Sequence, residues 1–240
     1  MINVGNRLDE RIAKFQDDFI KYGEDPSCMA MPSDRRNIRY SELLKHFDLD
    51  GGADNTHILD IGCGMGDVNA YLRYLGAEYV YLGIDLVEEF LNVGTKKYGS
   101  KDVAFKKLDY IRYPFMEDFV PDYAISSQTF NDPFMDGNNM EVIKDVMGRA
   151  FSICRKGISF NFVIDKVEFK NSNVAYHSPE EIMNWAYSLS HNVIMDNSCM
   201  PYECTCTILK DKVDNSIFET YRNRHKQEFE DGVFIVRKKN

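Results

Sequence analysis

Apolar positions along this chain follow two spacings, one typical of strands and one typical of helices. Short runs of β-branched and aromatic residues predict seven buried strands before residue 210. These runs cover 57–61, 79–85, 103–110, 123–127, 158–164, 192–196 and 203–209. Apolar residues three or four positions apart predict helices at 8–22, 33–47, 67–75, 140–154, 217–229 and from Ser178 onward. Strands that alternate with helices predict an α/β fold with a largely parallel sheet.

The order of these elements predicts how the chain is organised. Two amphipathic helices fill residues 1–50, an α/β core takes 51–212, and a helix with an edge strand at 233–236 takes 213–240. No repeat, low-complexity tract or linker separates these parts, so we expect one domain overall. The helix after Ser178 has a clear start signal, because Ser178 can cap it, Pro179 suits its first turn and Glu181 completes a capping box.

The first strand ends in a turn rich in glycine. The segment reads Asp60-Ile61-Gly62-Cys63-Gly64-Met65-Gly66-Asp67. Glycines directly after a buried strand allow a tight turn and let the backbone approach a ligand closely. A dinucleotide-binding turn has the spacing G-x-G-x-x-G. Here the third glycine comes one residue early and Asp67 stands in its place, which argues against an NAD-dependent oxidoreductase.

Acidic residues accompany three successive predicted strands. Asp60 precedes the first glycine, Asp85 ends the second strand, and Asp109 closes the third. A carboxylate at the end of the second strand is placed to accept both ribose hydroxyls of a nucleotide-like ligand. Because parallel strands end at one edge of a sheet, these three acids predict a nucleoside-binding site at that edge.

The glycine turn and the acids together resemble motif I and the following strand ends of the class I S-adenosylmethionine-dependent methyltransferases. The resemblance implies a Rossmann-like, doubly wound sheet of seven strands in the order 3-2-1-4-5-7-6, with the last strand antiparallel and an N-terminal helical lid. It implies S-adenosylmethionine as cofactor and S-adenosylhomocysteine as product. In this family Asp109 would receive the adenine amino group, and the Tyr110 backbone amide would meet the ring. The expected cofactor contacts are Asp60, Gly62, Cys63, Gly64, Asp85, Leu86, Asp109, Tyr110, Ser127 and Arg39.

Several residue pairs also resemble a bacterial small-molecule subgroup of this family, some of whose members accompany surface-polysaccharide genes. The pairs are Tyr22-Gly23, Arg39-Tyr40, Phe130-Asn131 and Phe160-Asn161. The resemblance implies that Arg39, shortly before motif I, meets the methionine carboxylate of the cofactor. It also implies a small polar acceptor, such as a sugar or a phosphate-type group, methylated at oxygen. The expected acceptor contacts are Phe130, Asn131 and Tyr202.

Methyl transfer to oxygen needs an aligned nucleophile that loses a proton. Of the five histidines, His177 alone falls in a loop on the predicted ligand side, so it is the candidate base. Tyr22 is the second candidate catalytic residue, as an aromatic wall that aligns the reacting groups. We expect no metal, since only Asp132 and Asp165 lie near that edge and the six cysteines match no standard zinc spacing. Without a C-x-x-C pair, the cysteines are expected to be free thiols.

Charge and hydropathy restrict the partners. A formal net charge of −9 argues against nucleic acid, and the exit of the fourth strand has one proline, several residues later than in nucleic-acid amino-methyltransferases. No apolar run approaches the roughly 20 residues that span a bilayer, and the start lacks the apolar core of a signal peptide, so we expect a cytoplasmic protein without membrane contact. The open alternatives are a methyltransferase-like binding partner without turnover, and a nucleic-acid or protein methyltransferase. The sequence makes no prediction of oligomeric state.

Overall fold

A computed structural model of the protein describes residues 7–29, 33–49, 55–115, 118–133, 139–211 and 226. The chain divides into two compact units, Met1–Leu209 and Lys210–Asn240. All the helices and strands named below belong to the first unit. The predicted helix at 217–229, apart from Lys226, and the predicted edge strand at 233–236 lie outside the described residues.

One seven-stranded sheet forms the centre of the first unit. Its strands are β1 (Thr56–Ile61), β2 (Tyr79–Asp85), β3 (Val103–Lys107), β4 (Tyr123–Ser126), β5 (Gly157–Val163), β6 (Asn192–Asp196) and β7 (Glu203–Leu209). The order is β3-β2-β1-β4-β5-β7-β6, as predicted. The first five strands pair in parallel, and β7 pairs antiparallel with both β5 and β6. The predicted Rossmann-like fold is therefore confirmed, including the reversed last strand.

Helices cover both faces of the sheet. They are α1 (Arg7–Tyr22), α2 (Ser33–Leu44), α3 (Val68–Tyr74), α4 (Glu88–Tyr98), α5 (Met140–Ile153) and α6 (Pro179–Tyr187), with a short 3-10 helix at Pro26–Met29. Consecutive residues of β1 enter different apolar clusters, because strand side chains alternate between faces. Ile58 packs with α2 and α3, whereas Leu59 packs with α5 and α6. This arrangement is the doubly wound sandwich that the pattern predicts.

Two element ends differ from the sequence prediction. The third strand stops at Lys107 rather than at Tyr110, because the Asp109 carboxylate accepts the amides of Ile111 and Arg112 and closes a turn there. The helix α4 was not assigned from the sequence. The predicted cap of α6 is present, since the Ser178 hydroxyl accepts the Glu181 amide.

Within the part of the chain that the structure describes, no helix is long and apolar enough to cross a membrane.

Candidate functional site

The turn after β1 depends on glycine at each of its three glycine positions. Gly62, Gly64 and Gly66 all have positive φ, between 54° and 71°. A Cβ on Gly62 would lie 2.3 Å from the Thr129 hydroxyl, and one on Gly64 would lie 2.7 Å from the sulfur of Met29. Both added atoms would enter space at the carboxyl edge of the sheet. Glycine therefore allows the turn and lets the Thr129 and Met29 side chains pack directly against it.

Asp85, at the end of β2, is tied to this turn by its carboxylate. One oxygen accepts the Gly64 amide at 2.8 Å, and the other accepts the Val87 amide at 2.9 Å. Each oxygen retains a further lone pair for a ligand hydroxyl. Burial raises the pKa of Asp85, and the backbone amides that it accepts partly oppose this rise.

Asp60 is a second buried acid near the same turn. Its carboxylate accepts the Tyr81 hydroxyl at 2.7 Å and is 4% exposed. Burial raises the pKa of Asp60 to about 7, the Tyr81 hydrogen bond opposes the rise, and the Asp85 charge adds to it. A carboxylate with few partners in a low-dielectric site gains most from a cationic ligand group.

A cavity of about 840 Å³, open mouth included, lies over these residues. Eight of the ten expected cofactor residues line it: Asp60, Gly62, Cys63, Gly64, Asp85, Leu86, Tyr110 and Ser127. The hydroxyl of Ser127 is buried without a hydrogen-bond partner. The cavity thus combines carboxylates, a glycine turn and apolar walls. This combination suits a nucleoside with a cationic tail.

The helix α1 covers one side of the cavity. Leu8, Arg11, Ile12 and Phe15 of this helix contribute to the lining, and Met29 of the 3-10 helix follows them. Arg11 forms an ion pair across the cavity with Asp132, which lies in the segment after β4.

Asp67 also lines the cavity but has its own partners. Its carboxylate pairs with Arg36 of α2 and accepts the Tyr98 hydroxyl at 3.1 Å. Asp67 therefore connects the start of α3 to α2 and α4. Its charge is balanced within the protein, unlike the charges of Asp60 and Asp85.

Asp109 does not line the cavity. Its carboxylate accepts two backbone amides of the following turn and the Arg112 guanidinium, so it serves the turn rather than facing an adenine. The backbone amide of Tyr110 donates to the Leu108 carbonyl at 3.0 Å. The side chain of Tyr110 does line the cavity and forms part of its wall.

Arg39 also lies outside the cavity. Its guanidinium makes a bidentate pair with Glu203 of β7, at 2.8 and 2.5 Å, and the residue is 6% exposed. This geometry does not place Arg39 against a cofactor carboxylate, because Glu203 occupies two of its nitrogens. Glu203 also accepts the Gln128 side-chain amide, so the pair belongs to a buried polar network between α2, β7 and the exit of β4.

The three expected acceptor contacts do not line the cavity. Phe130 is fully buried and packs edge-on against Phe160. Asn131 is bonded to Gln128 and to the Val163 amide, which holds the loop after β4 against β5. Tyr202 is 49% exposed, in the turn before β7.

The two expected catalytic residues are not at the cavity either. His177 is 3% exposed, and its Nε2 donates to the Phe130 carbonyl at 2.9 Å. Burial lowers the pKa of His177, while the Phe130 carbonyl opposes this shift. Tyr22 ends α1 with its ring half exposed and the Lys21 ammonium 4.7 Å from the ring centroid. Among the described residues, no group of three or more potential metal ligands occurs.

Sequence reasoning placed Asp132 near this edge but missed Arg11, Gln128 and Thr129 as lining residues. A signal for Arg11 exists in the sequence. It lies three positions after Leu8 and four before Phe15, so it falls on the apolar face of α1. A charged residue on the buried face of a helix that precedes a glycine turn is a candidate cavity residue.

Part of the sequence and the fold are similar to known methyltransferases. Residues 58–151 match the model of a methyltransferase domain. The fold is similar to that of the magnesium protoporphyrin IX methyltransferase from Synechocystis PCC 6803 with bound S-adenosylhomocysteine. That match has 11% identity, covers 86% of this chain and 96% of the other, and has a TM-score of 0.59.

Two further structures have the same fold. An O-methyltransferase family protein from Burkholderia thailandensis has 11% identity, with 89% of this chain and 65% of the other covered and a TM-score of 0.63. Human N-acetylserotonin methyltransferase in complex with S-adenosylmethionine has 12% identity, with 86% and 67% covered and a TM-score of 0.54.

No curated protein matches the sequence. The structural likenesses, all at low identity, show the fold, and the domain match adds the methyltransferase relationship over 58–151. Residues 58–151 therefore resemble a methyltransferase domain, and the chain shares its fold with solved structures that hold S-adenosylmethionine or S-adenosylhomocysteine.

Proposed function

We propose that this protein transfers a methyl group from S-adenosylmethionine to an oxygen atom of a small polar acceptor. One observation carries the proposal. The carboxylates of Asp60 and Asp85 line a single cavity together with Gly62 and Gly64 of the glycine turn. This is the combination that a nucleoside with a charged amino-acid tail requires.

The lining residues take distinct roles in this proposal. Asp85 accepts the ribose hydroxyls with the lone pairs that the Gly64 and Val87 amides leave free. Asp60 holds the ammonium group of the cofactor, which offsets the burial of its charge. Leu86 and Tyr110 form walls for the adenine, and the Ser127 hydroxyl has a free donor at the methionine end.

When bound, S-adenosylmethionine supplies an electrophilic methyl group on a sulfonium centre. The protein contributes alignment and exclusion of water, since α1 covers the cavity with Leu8, Ile12 and Phe15. No histidine occurs among the described residues that line it. Proton removal from an acceptor hydroxyl would then fall to Asp132, the lining carboxylate beyond the end of β4, or to water.

The choice of a small polar acceptor rests on the cavity lining, on two structural neighbours and on the subgroup resemblance. The cavity lining also contains the polar residues Arg11, Gln128, Thr129 and Asp132. Two structural neighbours are named for small acceptors, magnesium protoporphyrin IX and N-acetylserotonin. The subgroup resemblance favours a sugar or a phosphate-type group of a surface-glycan precursor.

Calorimetry with S-adenosylhomocysteine and with NAD tests the cofactor assignment. We expect micromolar affinity for S-adenosylhomocysteine and no binding of NAD. The reverse result would remove the proposal. Asp85→Ala should weaken S-adenosylhomocysteine at least tenfold, since hydrogen bonds to a charged group are worth about 1.5–3 kcal/mol each.

A binding module without turnover is the second candidate, and the cavity alone is compatible with it. Incubation with S-adenosylmethionine and a panel of nucleotide-linked sugars and related phosphates separates the two. Release of S-adenosylhomocysteine that depends on one acceptor supports the enzyme. Tight cofactor binding without release across sugars, phosphates and other polar metabolites supports the binding module.

A further inference from the structure

Arg11 interrupts the apolar face that α1 turns toward the cavity. Leu8, Ile12 and Phe15 lie on the same face, and all three line the cavity with it. The side chain of Arg11 is 17% exposed. A charged group in such a place requires partners, because burial of an unpaired charge is costly.

The partners of Arg11 leave part of its guanidinium unused. Among the described residues its one ion pair is with Asp132, and its guanidinium carbon lies 5.6 Å from the ring centroid of Phe15. The Nε atom is buried with no hydrogen-bond partner. A guanidinium offers five N–H donors in a planar fork that suits a carboxylate or a phosphate. Arg11 therefore has free capacity for an anion.

The charges that line the cavity are unbalanced. The lining contains four carboxylates, those of Asp60, Asp67, Asp85 and Asp132. Within the described part of the chain, Arg11 is the one cationic side chain that lines the cavity. The carboxylates can bind cationic groups of a ligand. An anionic group of a ligand can pair with one lining side chain, that of Arg11.

We propose that Arg11 is the anion-binding residue of this cavity and that it exchanges Asp132 for a carboxylate or phosphate group of a bound ligand. The inference rests on the proposed function, which supplies two sources of that anion: the methionine carboxylate of the cofactor, or an anionic acceptor. The exchange costs little because one oxyanion replaces another on the guanidinium. Asp132, 21% exposed at its side chain, is then released from the guanidinium.

Two variants distinguish this exchange from an ion pair that only holds α1 in place, because the exchange predicts different effects of the two variants on ligand affinity. Arg11→Met removes the anion site, whereas Asp132→Asn removes the group that competes for it. If the cofactor is the source, Arg11→Met weakens S-adenosylhomocysteine at least tenfold, and Asp132→Asn leaves it unchanged or tightens it. A latch that only holds α1 in place predicts that both variants weaken binding.

A truncated ligand provides the second comparison. 5′-Methylthioadenosine has no amino-acid part, so its affinity should be the same in wild type, Arg11→Met and Asp132→Asn. Asp9→Asn is the matched control, because Asp9 pairs α1 with Arg112 at 2.9 Å and does not line the cavity. It should leave the affinities of both ligands unchanged.

The second arm tests an anionic acceptor as the source. Inorganic phosphate is titrated into protein saturated with S-adenosylhomocysteine. If the acceptor supplies the anion, Arg11→Met abolishes phosphate binding and Asp132→Asn strengthens it, while S-adenosylhomocysteine is unaffected.

Three results would overturn the inference: equal losses for S-adenosylhomocysteine and 5′-methylthioadenosine in Arg11→Met, parallel losses in Asp132→Asn, or no change for any probe in either variant. If wild-type protein fails to bind S-adenosylhomocysteine, the proposed function fails instead, and the two failures are distinguishable.

Discussion

Asp60→Asn should stabilise the free protein and weaken its cofactor binding. The Asp60 carboxylate is buried with one side-chain hydrogen bond, from Tyr81. Burial raises its pKa from 3.8 to about 7, a difference on the order of 4 kcal/mol. Asparagine keeps an acceptor for Tyr81 without the charge, although a neutral hydrogen bond is weaker by about 1 kcal/mol. The expected net gain is roughly 3 kcal/mol at pH 8.

The direction of the pH dependence follows from the raised pKa. Between pH 3.8 and 7 the folded protein holds the Asp60 proton more tightly than the unfolded chain, so stability falls as the pH rises through that window. The penalty is complete above pH 7. The stability difference between Asp60→Asn and wild type should therefore be largest at pH 8 and shrink as the pH falls toward 3.8. Urea unfolding at a series of pH values measures it.

Ligand binding should show the opposite preference. If Asp60 holds the ammonium of S-adenosylhomocysteine, binding requires the ionised carboxylate, and wild-type affinity falls by up to about tenfold per pH unit below pH 7. Asp60→Asn should lose about 1.5–3 kcal/mol of binding free energy and also lose this pH dependence. Calorimetry at pH 6 and pH 8 measures both effects, and a variant that bound as tightly as wild type at pH 8 would refute the reasoning. A variant less stable than wild type at pH 8 would also refute it.

Three further changes test other parts of the structure. Gly62→Ala should lower the free energy of unfolding by more than about 2 kcal/mol and weaken S-adenosylhomocysteine binding, because φ is 68° and the new Cβ meets the Thr129 hydroxyl. Gly76→Ala is the control, since φ is 69° in open space. It should lower the free energy of unfolding in urea by about 1 kcal/mol and leave binding unchanged. Burial opposes ionisation of Asp122, but hydrogen bonds from the His57 amide and Arg155 outweigh burial and lower its pKa. Asp122→Asn should therefore lower the free energy of unfolding by about 1.5–3 kcal/mol at pH 7. This difference should disappear as the pH falls below 3.8, where the wild-type carboxylate becomes protonated. His177→Asn should lower the free energy of unfolding by about 1–3 kcal/mol, measured by calorimetric melting, because the hydrogen bond to the Phe130 carbonyl is lost or weakened. The dissociation constant of S-adenosylhomocysteine should not change. A changed constant would show that His177 affects the cofactor site.

The sequence predicted the parts of the fold that depend on local pattern. The strand β2 ends at Asp85 and β7 covers Glu203–Leu209, as the apolar runs predicted. The glycine turn was predicted because positive φ restricts the residue type within the turn itself. The cap at Ser178 was predicted for the same reason, since a hydroxyl and the amide three residues later lie in one local motif.

The sequence did not predict partners that are far apart in the chain. Arg39 and Glu203 are 164 residues apart, and only the folded sheet brings β7 beside α2. Local pattern left Arg39 available for a cofactor, and the fold gives it a buried carboxylate instead. For Asp109 the difficulty is local, because its role depends on whether the next residues turn or continue the strand. The amides of Ile111 and Arg112 decide that question in favour of the turn.

The site is built at the expense of the stability of the free protein. Asp60 and Asp85 are both buried, and burial raises the pKa of each, so the cavity carries two carboxylates that are costly to ionise. Packing alone would favour neutral side chains at these positions. A ligand with hydroxyls for Asp85 and an ammonium for Asp60 removes much of that cost, and it binds the folded state alone. The same two acids therefore couple cofactor binding to folding, and the buried charge is the physical reason to assign the cavity to a cationic nucleoside rather than to a neutral one.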